Sequence, residues 1–88
     1  MSRQEHREIT KELEETYIYK NAKYGDSFTE TIDKLGMVSV AVRLNDKVNR
    51  INQLVQGSED DESLADNLLD LANYSVMALM YMNKGDED

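Results

Sequence analysis

The chain contains no cysteine and no proline, and its single histidine is His6. Without thiols, disulfides and thiolate metal sites are excluded. One imidazole also excludes a zinc centre built from several histidines. No apolar run is long enough to span a bilayer, and the N-terminus has no signal-peptide pattern. Positive charge is scarce: ten Lys and Arg face eighteen Asp and Glu, giving a net charge of −8 and a pI near 4.5. Duplex DNA is held through clustered cations, so this balance argues against it as a partner. With 88 residues the chain is one domain, because so short a chain buries only about 60% of its unfolded surface. Cores of this size often need reinforcement from outside. The expectation is a small soluble domain in the cytoplasm, with no membrane contact, stabilised by self-association.

Glycine occurs only at 25, 36, 57 and 85, and helix-favouring residues fill the intervals. The first helix is predicted over 4–21, with Ile9, Leu13 and Tyr17 on one face. After a break at Tyr24-Gly25-Asp26, Ser27-Phe-Thr-Glu30 reads as a capping box opening a short helix over 28–35. Gly36 supplies its left-handed stop. The third helix, over 37–56, carries Met37, Ala41, Leu44, Val48, Ile51 and Val55 in steps of four and three, a heptad seam. That seam runs through Val38-Ser-Val-Ala-Val42, whose alternation alone would permit a strand. The acidic loop Ser58-Glu-Asp-Asp-Glu62 sits before the fourth helix, over 63–83, where negative charge is favoured. That helix has two apolar stripes: Leu64, Leu68, Leu71, Ala78 and Met82 form one, and Ala65, Leu69, Ala72, Val76 and Leu79 the other. Covering both takes more helices than one chain of this length offers. The fold class is therefore all-α, a small bundle of three long helices and one short helix assembling as a homo-oligomer of two or four chains. Residues 84–88 are read as a disordered tail.

Three constellations stand out from this background. Arg43, Lys47 and Arg50 follow at i, i+4 and i+7, so three cations share one helix face in an acidic protein. A guanidinium fork holds phosphate oxygens bidentately and an ammonium adds a point charge, which suits a phosphate site. The plainer reading is a solvated face or pairing with acids on neighbouring helices. Asp66, Asp70 and Asn73 form a polar stripe in an otherwise apolar helix, with Tyr74 beside it. Buried carboxylates need partners, so these acids face solvent, meet Arg43 or Arg50, or touch a ligand. Asn73 has the donor and acceptor to read a base edge. Lys20-Asn-Ala-Lys-Tyr24-Gly-Asp-Ser-Phe28 offers two cations, a helix N-terminus at Ser27 and two rings. Tyr24 or Phe28 either stacks on a base or plugs the core.

Together these segments carry a family resemblance. Lys20-x-x-x-Tyr24-Gly-Asp-Ser-Phe28, Arg43-Leu-Asn-Asp-Lys47-x-x-Arg50 and Asp66-x-x-x-Asp70-Leu-Ala-Asn-Tyr74 resemble the small phage domain called nucleotide modification associated domain 1, over residues 17–82. The resemblance implies a further overlap, of that family with small helical phage proteins that act as anti-CBASS sponges. Those bind cyclic dinucleotide alarm signals of bacterial immunity as oligomers and sequester them without cleavage. The resemblance implies a phage protein of the host bacterial cytoplasm, active in immune evasion. It also implies nucleotide contacts from Tyr24, Ser27, Phe28, Arg43, Lys47, Arg50 and Asn73, to which the stripes above add Lys20, Asp70 and Tyr74. The leading expectation is a non-enzymatic nucleotide-binding protein with no catalytic residues, no metal and no cofactor, its sites shared between copies.

An enzymatic alternative starts from Glu12-x-x-Glu15 and Glu30-x-x-Asp33. Such helical pairs hold Mg²⁺ in all-α nucleoside-triphosphate pyrophosphohydrolases of the MazG type, where the metal activates water and bridges phosphate oxygens. Eighteen acids in 88 residues would give about three or four such pairs by chance, so the motif is weak. On this alternative Asp66 and Asp70 join the carboxylate set and Mg²⁺ becomes the cofactor. A third reading is an interaction module that binds a host enzyme through the third and fourth helices.

Overall fold

In a computed structural model that describes residues 1–57 and 60–84, four helices follow one another: α1 (Arg3–Tyr24), α2 (Ser27–Leu35), α3 (Val38–Gly57) and α4 (Asp61–Asn83). The described residues contain no strand, and Val38–Val42 lies inside α3. No helix among them is long and apolar enough to cross a membrane. Residues 58–59 and 85–88 lie outside the described residues, and with them most of the expected tail; Lys84 continues α4 as its cap.

Helix ends follow local chemistry. Ser2 and Glu5 form a capping box: the Glu5 amide donates to Ser2 Oγ at 3.1 Å and the Ser2 amide to Glu5 Oε1 at 2.6 Å. That fixes the start of α1 near the chain terminus, and Gly25 ends it by donating to the Asn21 carbonyl at 2.8 Å. The capping box expected at Ser27 does not form. Asp26 takes the N-cap position without a side-chain bond, and Ser27 is already helical, its carbonyl accepting from Thr31 Oγ1. At α4 the cap is Asp60, whose carboxylate accepts from the Ser63 amide at 3.0 Å and its hydroxyl at 2.6 Å. The helix consequently begins two residues before the expected 63, with Asp61 and Glu62 in its first turn.

Gly36 separates α2 from α3 with φ 80° and ψ −176°, and Gly25 has φ 68° and ψ −148°. Neither is the left-handed helical stop foreseen for Gly36; both occupy a region open essentially to glycine alone. A Cβ at Gly36 would meet nothing within 4 Å, so substitution is penalised by the backbone only. Gly36→Ala is expected to cost about 1–3 kcal/mol of stability, read from urea unfolding. An unchanged midpoint would show that the turn relaxes freely.

Helices α3 and α4 run antiparallel: Val40 and Leu44 meet Ala78, Tyr74 and Tyr81 at one end, while Lys47 meets Asp70 further along. The short α2 lays Phe28 and Ile32 on this pair, and these two with Val40 and Ala78 form the buried core. Tyr81 donates to Asp33 Oδ1 at 2.7 Å and fastens α2 to α4. Along α3 the inward stripe is Val40, Leu44, Lys47, Ile51 and Leu54. The expected seam shares only Leu44 and Ile51 with it; Met37, Ala41, Val48 and Val55 are exposed. The helix has two apolar faces, and the chain packs the one that carries Lys47 because Asp70 satisfies that charge. None of the residues of α1 is buried. It lies against α4 through Leu13, whose carbonyl accepts from Asn73 Nδ2 at 3.2 Å, and through Lys20 on Asp70.

Candidate functional site

Where α1 turns into α2 above the middle of α4, the chain forms a cleft of about 260 Å³. Eight of the ten residues singled out from sequence line it: Lys20, Tyr24, Ser27, Phe28, Arg43, Asp70, Asn73 and Tyr74. The cleft is assembled within one chain, although the length of the sequence had suggested a site shared between copies. The other two, Lys47 and Arg50, lie in an open groove on the far side of Arg43 and Tyr74, together with Asp46, Asn49 and Gln53. Arg43 and Tyr74 belong to both hollows and form the ridge between them.

The ridge is built from stacked planes. The Phe28 and Tyr74 rings are nearly parallel, 6° apart, with centroids 5.9 Å from one another. The Arg43 guanidinium carbon sits 5.5 Å from the Phe28 centroid and 5.8 Å from that of Tyr74. Ring quadrupoles hold a cation there, leaving the N–H edges of the guanidinium for an acceptor. Among the described residues no carboxylate pairs with Arg43.

Asp70 is the floor. Its Oδ1 accepts from Lys20 Nζ and its Oδ2 from Lys47 Nζ, both at 3.0 Å. One carboxylate of α4 thereby ties down α1 and α3 together. Desolvation pushes the Asp70 carboxyl up, but the bonds from Lys20 and Lys47 and their charges outweigh it and hold the group below its ordinary 3.8. The bond to Asp70 raises Lys20 above 10.5 against the desolvation that lowers it. Solvent, Arg43 or Arg50, or a ligand were the alternatives for Asp70; two lysines hold it in place of an arginine, which leaves Arg43 on the ridge. Three cations against one carboxylate give this small region a net charge of +2 within a chain of −8.

The two rings of the 20–28 segment divide the two roles between them. Phe28 is a core plug at 6% exposure, whereas Tyr24 is 62% exposed at the cleft mouth. Asn73, proposed from sequence to read a base edge, is 9% exposed and donates one amide N–H to the Leu13 carbonyl, so it anchors α1 while lining the cleft. Tyr17, Asn21, Gly25 and Met77 also line the cleft and were not among the site residues chosen from sequence. Their signal was present: Tyr17, Asn21 and Tyr24 repeat at helical spacing around Lys20, and Met77 continues Asp70 and Asn73.

The carboxylates of the enzymatic alternative do not converge. Glu12 and Glu15 are on α1, Glu30 and Asp33 on α2, Asp66 and Asp70 on α4. Asp33 accepts from Tyr81 and Asp70 from two lysines. Among the described residues no three acidic, histidine or cysteine side chains are grouped to hold a metal ion. On this alternative a Mg²⁺ ion would rest on a single carboxylate pair and the phosphates of its substrate.

The family described as nucleotide modification associated domain 1 matches residues 20–82, a span that contains every cleft-lining residue except Tyr17. Comparison with curated proteins and with solved structures gave no match.

Proposed function

Because the chain belongs to the nucleotide modification associated domain 1 family, we propose that it is a non-enzymatic nucleotide-binding protein that holds its ligand across the Arg43 ridge. The observation that carries this reading is the Arg43 guanidinium, clamped over Phe28 and Tyr74 at the cleft with no carboxylate among the described residues to neutralise it. Such a fork is preorganised for phosphate oxygens. Lys20 adds positive charge on the cleft side and Arg50 on the groove side. The exposed Tyr24 ring offers a stacking surface for a base, and Ser27 and Asn21 offer polar groups beside it.

Size narrows the ligand. A cleft of about 260 Å³ falls just below the roughly 300–1,000 Å³ usual for small-molecule sites. A hollow of that size matches about one nucleoside unit, and the open groove across the ridge offers room for a second. A cyclic dinucleotide has two such units joined by two phosphates, which suits a cleft and a groove sharing one arginine. Holding that signal without cleaving it removes it by mass action, the role of an anti-CBASS sponge in a phage protein. The sequence and the site supply anion-binding groups and no nucleophile–base pair, in keeping with binding alone.

The test is calorimetric titration with mononucleotides, nucleoside triphosphates and cyclic dinucleotides, with and without Mg²⁺, followed by chromatography of the recovered ligand. Intact cyclic dinucleotide is expected. Arg43→Ala is expected to weaken binding roughly 10- to 100-fold, the loss of one or two charge-assisted bonds, with the helical circular dichroism unchanged. Mg²⁺-dependent release of pyrophosphate would replace this reading with the MazG-type hydrolase. Absence of binding by every nucleotide at millimolar concentration would remove both.

A further inference from the structure

The faces of α3 and α4 turned away from the cleft are apolar and open. At about 100° per residue, Ala41, Val48 and Val55 lie roughly 120–160° round α3 from Arg43. On α4, Leu68 and Leu79 lie roughly 160–180° round from Asp70. Val55 is 66% exposed, Leu79 58% and Leu68 50%. The positions between them, Asn45 and Asn52 on α3 and Ala72 and Val76 on α4, carry no charge. In a chain that is 32% charged, two helices with an uncharged side along most of their length are a marked exception.

We propose that this face binds a second copy of the chain, pairing α3 and α4 with their counterparts about a two-fold axis as a four-helix bundle. Three features favour a copy over another occupant. An apolar face meets itself in an isologous contact without needing a complementary surface. Two chains of −8 each can approach only along a side that keeps most of their acids at the rim; on this side the one acid of the two helices is Asp61, in the first turn of α4 at the end of the face. Asn45 and Asn52 bring amides that donate and accept at once, so they pair with their own kind and fix register. The extent is also adequate. Two helices about 30 Å long and 8–10 Å apart span roughly 500 Å² in projection. That is the size of the largest apolar patch on a typical monomer and approaches the ~800 Å² of accessible surface each partner buries in a standard interface. Because the face lies opposite the cleft, dimerisation leaves two clefts facing outward, one per chain. The inference goes beyond the nucleotide reading and does not depend on it.

Light scattering after size exclusion, on the whole chain at ~10 and ~100 µM, decides it. The expected mass is twice 10.1 kDa. Leu68→Glu with Leu79→Glu should return it to 10.1 kDa with the helical signal kept, since both side chains are half-exposed in the single chain. Val55→Glu, at the end of the face, should raise the dimer dissociation constant at least ~10-fold by placing like charges across the axis. Wild-type chain at the single-chain mass at ~100 µM, or a double variant that stays dimeric, overturns the proposal. Neither result bears on nucleotide titration, so the two readings fail separately.

Discussion

Phe28→Ala is expected to lower stability by about 3–5 kcal/mol, the usual cost of emptying an aromatic site in a core. The core it would empty consists of Phe28, Ile32, Val40 and Ala78, with Leu44, Tyr74, Met77 and Tyr81 packed round it. So small a core has little surplus, because domains of this size are stable by only about 5–15 kcal/mol in total. For a chain of 60–100 residues each kcal/mol moves the melting point by roughly 4–8 °C, so a fall of at least ~12 °C is expected. Melting followed at one fixed protein concentration reads it, since self-association would make the midpoint concentration-dependent. Phe28→Leu separates packing from the ring. It keeps most of the apolar volume and should cost less than about 1.5 kcal/mol, yet it removes the plane on which Arg43 rests. Near-native melting with weakened nucleotide binding is the expected result for that variant. A Phe28→Ala protein melting within ~2 °C of wild type would show that α2 does not depend on this side chain.

Phe28 also shows how far local pattern carries. Tyr24 and Phe28 are four residues apart and both aromatic, so the sequence offers each as a stacking ring or a core plug. The Gly25 turn sends them in different directions, and only the fold tells which is which. Helix number and approximate limits were legible because Gly25, Gly36 and Gly57 punctuate a chain without proline. The capping box at Ser27 misled because a one-residue shift gives the cap position to Asp26, and short-range motifs do not resolve such shifts. On α3 the heptad pattern was real but ambiguous. Two registers share Leu44 and Ile51, and the more apolar of the two is left open while the one bearing Lys47 is packed.

The site was legible to the same degree. Spacing found the three aligned cations of α3, yet nothing local distinguishes them. Their fates are set by partners far along the chain: Lys47 by Asp70, Arg43 by Phe28 and Tyr74. The outcome divides the three cations that the sequence offered jointly for phosphate: Lys47 is taken up by Asp70, and Arg43 rests on the rings with its N–H edges open. Lysines are compact charges suited to one carboxylate between two helices. The flat guanidinium suits a pair of parallel rings. Asp70, as the meeting point, therefore determines which cation remains for a ligand.

Asp70→Ala is accordingly the second substitution with a large expected effect. It leaves two ammonium groups without their counter-ion and releases α1 and α3 from α4 at one point. The expected loss is about 2–3 kcal/mol, in the range for a partly buried hydrogen-bonded charge. The two arms should contribute unequally. The Lys47 side chain is 17% exposed and that of Lys20 51%, so solvent screens the second pair. Double-mutant cycles are expected to give about 1–2 kcal/mol for Lys47–Asp70 and about 0.2–1 kcal/mol for Lys20–Asp70. The pH dependence has a definite sign. The folded carboxyl titrates below 3.8, so its contribution is complete above that value and is lost as pH falls through the lower folded pKa. Lys20 titrates above 10.5 in the fold, so its contribution is complete below that value and lost as pH rises beyond it. The stability gap between wild type and Asp70→Asn should therefore be flat from about pH 5 to 9 and close below about pH 4. A gap that persists undiminished at pH 2 would mean that Asp70 acts through packing and not through its charge.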